Sequence, residues 1–182
     1  MDQRKLKTRQ AVEDAFVQLR KEKSLEQISV TELSRLARIS KATFYLHYRD
    51  IFDLSEKMQT AAIKQVLDQI SISISVMDHW PEFAKEMMGI MDQDNTVLTI
   101  LFSGSQMAMV PILLENQIRE RILEQSPELK TDSELSIRLT YHIQGSYHAY
   151  LRHAHHTDIR KILDIIDDIQ HKTGLDASGQ IR

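Results

Sequence analysis

The apolar and polar positions of residues 29–53 fall into two short helical patterns separated by only a few residues. Ser29 and Glu32 make the S-x-x-E signature of a capping box, in which the serine hydroxyl takes the Glu32 amide and the Glu32 carboxylate reaches back to Ser29. The helix that follows, over 30–37, should bury Val30, Leu33, Leu36 and Ala37 at helical spacing. Ser40 is the N-cap of the next helix, over 41–48, where Phe44 and Tyr48 lie four apart and face inward. Lys41, Thr43, Tyr45, Leu46 and His47 are left outside, and most are side chains that can bond a phosphate or a base edge. Asp50 caps a longer helix that opens at Ile51. A helix pair joined this tightly reads as a helix-turn-helix, whose second helix enters the major groove of DNA. Without its flanks the same pair also fits a surface helix of a small bundle.

Beyond Ile51 helix follows helix. The segment 51–70 carries Leu54, Met58, Ala61 and Ala62, Gln65 and Val66, and Ile70 on one side. The run I-S-I-S-I-S-V over 70–76 alternates like a strand, but a lone strand has nothing to pair with, so it should finish the helix or form a connection. Further helices are expected over 81–91, 95–102, 106–125, 133–153 and 158–171, and a polar tail, 173–182, should fray. With the helices of the first 50 residues this makes an all-α chain of about nine helices. It divides into a helix-turn-helix domain over 1–50 and a second helical domain over 51–172.

Composition supports this picture. Of 182 residues 42% are hydrophobic, enough for a buried core, and 5 Gly and 3 Pro interrupt little regular structure. With no cysteine there is no disulfide framework, thiolate metal site or cysteine nucleophile, which suits a reducing cytoplasm. The net charge of −3 hides an asymmetry: residues 1–50 hold 11 Lys and Arg against 7 Asp and Glu, and residues 51–182 hold 12 against 19. The positive field therefore lies at the helix-turn-helix end. The basic opening, Arg4 to Arg9, either orders on DNA or simply solubilises the terminus. No signal peptide is visible in the charged first 20 residues. Residues 95–114 are 20 in a row without a formal charge, the length of a membrane span, but Ser103-Gly104-Ser105 and Pro111 interrupt them. Two buried helices meeting at a break are expected there, with no membrane contact.

T-R-Q-A-V-E-D-A-F (Thr8 to Phe16), I-S-V-T-E-L (Ile28 to Leu33) and I-S-K-A-T-F-Y-L-H-Y (Ile39 to Tyr48) resemble the N-terminal domain of the TetR/AcrR family of bacterial transcriptional regulators. The likeness covers roughly residues 4–60 in one register without gaps. It implies a three-helix DNA-binding domain, a larger helical ligand-binding and dimerisation domain, a homodimer, and repression relieved by a small ligand. It implies base contacts from Lys41 and Ala42, phosphate or mixed contacts from Thr43, Tyr45 and His47, and backbone contacts from Ser29 and Thr31. Arg38 stands where the family often has glycine, a source of strain if left-handed and a further phosphate contact. Ile51 stands where it often has lysine, and Arg49 is the candidate replacement. With the cap Ser40 these complete the expected DNA-binding set.

Three constellations in the second domain bear on chemistry. Trp80, Phe83, Met87, Met88, Met91, Phe102 and Met107 gather in its middle, either as plain core or as the lining of an adaptable pocket for an apolar or aromatic effector. Gly145 and Ala149 give the helix over 133–153 a face of small residues, and Ile159, Ile162 and Ile166 lie on an apolar stripe of the last helix. Two such helices from each of two chains make a four-helix, two-fold interface, so a homodimer on a near-palindromic operator of double-stranded DNA is expected. His153, His155 and His156 read as a polar helix terminus beside the negative end of the dipole, in preference to a metal site. No Gly-rich phosphate loop, G-x-S-x-G or H-E-x-x-H is present, so neither an enzyme nor a cofactor is expected. The rival to a ligand-relieved repressor is a co-activator or adaptor of the same fold that works through a protein partner.

Overall fold

Caps, more than propensity, set where these helices begin. The computed structural model describes residues 3–77, 79–92 and 96–172. The tail over 173–182 and the side chains of Met88, Met91 and Ile159 lie outside the described residues. Within them the α-helices are α1 (Gln3–Arg20), α2 (Val30–Leu36), α3 (Lys41–Tyr45), α4 (Ile51–Leu67), α5 (Trp80–Asp92), α6 (Thr96–Leu101), α7 (Met109–Gln125), α8 (Ser133–His153) and α9 (Ile159–Lys172). Among the described residues there is no strand, and the all-α expectation holds. The alternating run at 70–76 is a connection ending in a 3-10 turn, Ile74–Met77, with Ile70, Ile72 and Val76 buried. The uncharged stretch breaks as expected, into α6, a 3-10 turn (Gly104–Ala108) and α7, with Gly104 left-handed at φ 63°. Among the described residues no helix is long and apolar enough to cross a membrane.

The chain divides into two compact units, Met1–Ala62 with Asn95–Val110, and Ile63–Asp94 with Pro111–Arg182. The first therefore extends past residue 50 and takes in a later segment. Its core is Val12, Phe16, Leu33, Phe44 and Leu54, all fully buried, joined by Leu98, Leu101 and Phe102. Polar groups fasten the later segment. Buried Arg20 donates from Nη1 to the Lys23 carbonyl (2.9 Å) and from Nη2 to the carbonyls of Ile100 (3.3 Å) and Ser103 (3.2 Å) and to Ser103 Oγ (2.7 Å). Burial pushes the Arg20 pKa down from the usual arginine value, and the nearby Glu26 carboxylate opposes that. Gln59, also buried, donates to the Leu101 carbonyl (2.9 Å) and to Gln106 Oε1 (3.2 Å). The expected α4 stripe holds at Leu54, Val66 and Ile70, all buried, but Ser55, Gln59 and Ile63 are buried beside it and Gln65 is exposed.

In the second unit α9 packs on α5 and α8. Arg121 of α7 donates to the carbonyls of Lys64 (3.2 Å) and Leu67 (3.2 Å) at the end of α4, which also accept the amides of Asp68 (2.8 Å) and Ile70 (3.2 Å). Asp132 caps α8 through the amides of Glu134 (2.8 Å) and Leu135 (3.2 Å), and α8 has the bounds its periodicity predicts. Trp80 Nε1 donates to Ser146 Oγ at 2.8 Å, and the indole stacks on His142 at 5.4 Å between centroids. Burial, with the positive charge of Arg138, lowers the His142 pKa to about 4.

Two outcomes follow. Arg20→Met should cost roughly 1–3 kcal/mol in chemical denaturation, because half-buried carbonyls lose a charged donor; a loss below ~0.5 kcal/mol would show that the guanidinium does not hold the 95–110 segment. His142 titrates near 6.5 when unfolded and near about 4 when folded. Between those values the unfolded chain binds a proton the folded chain refuses. This contribution to stability is complete above about pH 6.5 and falls as pH drops toward 4. Thermal melts from pH 7 to 4 should show a shallower decline in His142→Gln than in the wild type.

Candidate nucleic-acid interface

The turn between α2 and α3 is built from three capping devices. Ser29 Oγ accepts the Glu32 amide at 3.2 Å, as expected. The other half of the expected box is replaced: the Glu32 carboxylate meets Lys23 Nζ at 2.6 Å instead of reaching back to Ser29. A charged partner nine residues upstream offers more than a neutral amide. At the end of α2 the Ile39 amide bonds the Ser34 carbonyl (3.0 Å) and the Arg38 amide bonds the Arg35 carbonyl (3.3 Å). This is a Schellman motif with Arg38 left-handed at φ 54°, where glycine carries no Cβ penalty. Of the apolar residues expected to be buried on this helix, Leu33 and Ala37 are buried and Val30 and Leu36 half-buried.

Ser40 Oγ accepts the Thr43 amide at 3.0 Å and lies 2.8 Å from Thr43 Oγ1, so the Thr43 hydroxyl is already engaged in the cap. The α-helix proper is five residues, shorter than the expected 41–48, but the Tyr48 amide still bonds the Phe44 carbonyl at 3.0 Å. Phe44 and Tyr48 are buried as expected. The Tyr48 hydroxyl donates to Glu13 Oε1 (3.2 Å), tying the end of α3 to α1. Burial, with the Glu13 charge, pushes the Tyr48 pKa up to about 12, so this donor stays protonated. Lys41, Ala42, Tyr45 and Leu46 are exposed on the other side, Tyr45 at 57%. His47 is half-buried, and Ser29, Thr31, Arg38, Ser40 and Arg49 are exposed.

Asp50 Oδ1 accepts the Asp53 amide at 2.8 Å and so caps α4. Arg49 is not a bare anchor: its guanidinium lies 3.2 Å from Asp53 Oδ1. Lys57 shares that carboxylate at 2.9 Å, lies 5.2 Å from the centre of the Tyr48 ring, and donates to the His47 carbonyl at 3.3 Å. The Lys57 ammonium and the Arg49 amide hold the Asp53 carboxyl below the usual aspartate range. Sequence reasoning passed over Lys57. The Asp53/Lys57 spacing signals the pair, but not the tertiary contact with the end of α3.

Elsewhere, Trp80, Phe83 and Met87 are buried in the second unit, whereas Phe102 (buried) and Met107 (exposed) belong to the first. Gly145 is exposed, with open space where a Cβ would project, and Ala149 is half-buried. Ile162 is buried and Ile166 half-buried, so among the described residues the apolar side chains α9 exposes are Ile165 and Ile169. His153 ends α8, with His155 and His156 in the exposed turn beyond it, which is the expected polar terminus.

No family model matches the sequence, and no solved structure matches it. The chain is similar to a curated protein of Bacillus subtilis (strain 168), described as the uncharacterized HTH-type transcriptional regulator YxbF, with 27% identity over 92 residues. The match takes in 50% of this chain and 24% of the relative, so the chain spans about a quarter of that protein's length.

Proposed function

We propose that this chain is a DNA-binding transcriptional regulator acting in the cytoplasm, with α3 as its reading helix. The observation that carries the proposal is the division of α3: Phe44 and Tyr48 are buried, and Lys41, Ala42, Tyr45 and Leu46 stand exposed. A left-handed turn at Arg38 and flanking cations frame that face. The similarity to a protein described as an HTH-type regulator supports the same reading. Lys41→Ala should weaken specific binding by roughly 1–3 kcal/mol and relax preference at one base pair. Tyr45→Phe should weaken binding to all sequences alike if its hydroxyl meets phosphate, since such contacts carry no sequence information. Gel shifts on a duplex obtained by binding-site selection read both, and affinity should fall steeply with salt. Unchanged affinity and base preference in Lys41→Ala would end the assignment of α3.

The finer reading is a homodimeric repressor of the TetR type, released from its operator by a small apolar or aromatic ligand. It rests on the resemblance of residues 4–60, on the aromatic and sulfur-bearing side chains of α5, and on the outer faces of α8 and α9. Ile137 is 68% exposed and Tyr141 52%, and with Gly145 they follow one another at four-residue intervals along α8. Ile165 and Ile169 do the same along α9. An operator read by such a dimer would carry two half-sites about one helical turn, 34–36 Å, apart or somewhat wider. Gly145→Trp with Ile165→Asp changes only exposed positions. It should yield folded monomers by light scattering that lose operator binding with residues 1–62 intact; a dimer of unchanged mass would move the interface elsewhere.

A further inference from the structure

Leu46 is the most outward side chain of the reading helix. Its backbone is still helical, at φ −72° and ψ −19°. At about 100° per residue, Phe44 and Tyr48 centre the buried side, and Leu46 projects roughly 180° away with Ala42 about 40° beside it. The structure agrees, leaving Leu46 82% exposed, well beyond Tyr45 at 57% or Phe52 at 56%. Cations and hydrogen-bonding groups are exposed on the same segment of chain: Lys41, Arg38, Tyr45 and Arg49. A leucine at that outermost position can neither donate nor accept a hydrogen bond. Pressed on the donors and acceptors of the groove floor, it would strip water from them and return nothing. The one apolar feature that the four bases offer in the major groove is the C5-methyl of thymine.

Building on the reading of α3 as the DNA-contacting helix, we infer that Leu46 reads a thymine methyl in each half-site, with Ala42 extending the apolar contact. Sequence preference at that base pair then comes from methyl burial, not from hydrogen bonding. Lys41 specifies a different position.

The test uses the full chain and a duplex it selects from an unmodified random library, resynthesised with deoxyuridine replacing each thymine in turn. Uracil keeps every hydrogen-bonding group of thymine and lacks only the methyl. At one position per half-site the wild type should lose about fourfold in affinity, the worth of one buried methyl-sized group. Leu46→Ala should lose a similar amount on the thymine duplex and show no further loss on uracil at that position. Leu46→Met, which keeps a long apolar side chain, should restore the sensitivity, and Lys41→Ala should retain it. The substituted side chain is exposed, so these variants keep the fold. A duplex whose thymines all tolerate uracil overturns the inference alone, as does uracil sensitivity that survives unchanged in Leu46→Ala. In that outcome the exposed leucine serves a protein contact instead. Failure of the chain to select any duplex would overturn the regulator reading and this inference with it.

Discussion

Burial of Phe44 and Tyr48 is the constraint on which the helix pair α2 and α3 depends. A helix of five residues has no stability of its own, because nucleation costs more than so few hydrogen bonds return. It persists because one side is anchored in the core, Ser40 caps its start, and the Tyr48 hydroxyl ties its end to Glu13. The outward set of Lys41, Ala42, Tyr45 and Leu46 is the geometric complement of that anchoring. A change at Phe44 would re-aim all four at once, even though none of them touches the core as it does.

The charges around this pair are partly spent on structure. Lys23 is paired with Glu32, while Arg49 and Lys57 share Asp53. These pairs are mostly solvent-exposed on the cationic side, so each contributes little to stability. They fix where the cations sit. Arg38 is the opposite case. Its left-handed backbone is a site of strain that glycine would relieve, and it keeps a positive charge just before α3.

Much of the fold was legible in the sequence, because its signals are local. Ser29, Ser40 and Asp50 cap helices through amides three residues on, and such spacings can be read directly. The inward pair Phe44 and Tyr48 follows from helical periodicity. The features that escaped depend on partners distant in sequence. Glu32 chose Lys23 over its own cap, Gln59 was buried by acceptors 42 and 47 residues away, and Trp80 found Ser146 across 66 residues. A polar residue on an otherwise apolar helix looks like surface until its partner is known. For that reason the expected α4 stripe left out Gln59. The candidate contacts on α3 were readable as exposed positions, but the engagement of the Thr43 hydroxyl with Ser40, and of Arg49 with Asp53, was not.

The ties from Arg20 to Ile100 and Ser103 span 80 and 83 residues of chain. They make the first unit discontinuous along the polypeptide, and that governs when it can form. Closing a loop of this length costs roughly 4 kcal/mol of chain entropy before any contact repays it. During synthesis that unit cannot be finished when its first helices emerge. Arg20, bonded only to the Lys23 carbonyl, and Gln59 must wait for these partners until α6 and the turn after it leave the ribosome. In hydrogen exchange the end of α1 and the end of α6 should therefore open as one cooperative unit, despite lying at opposite ends of half the chain.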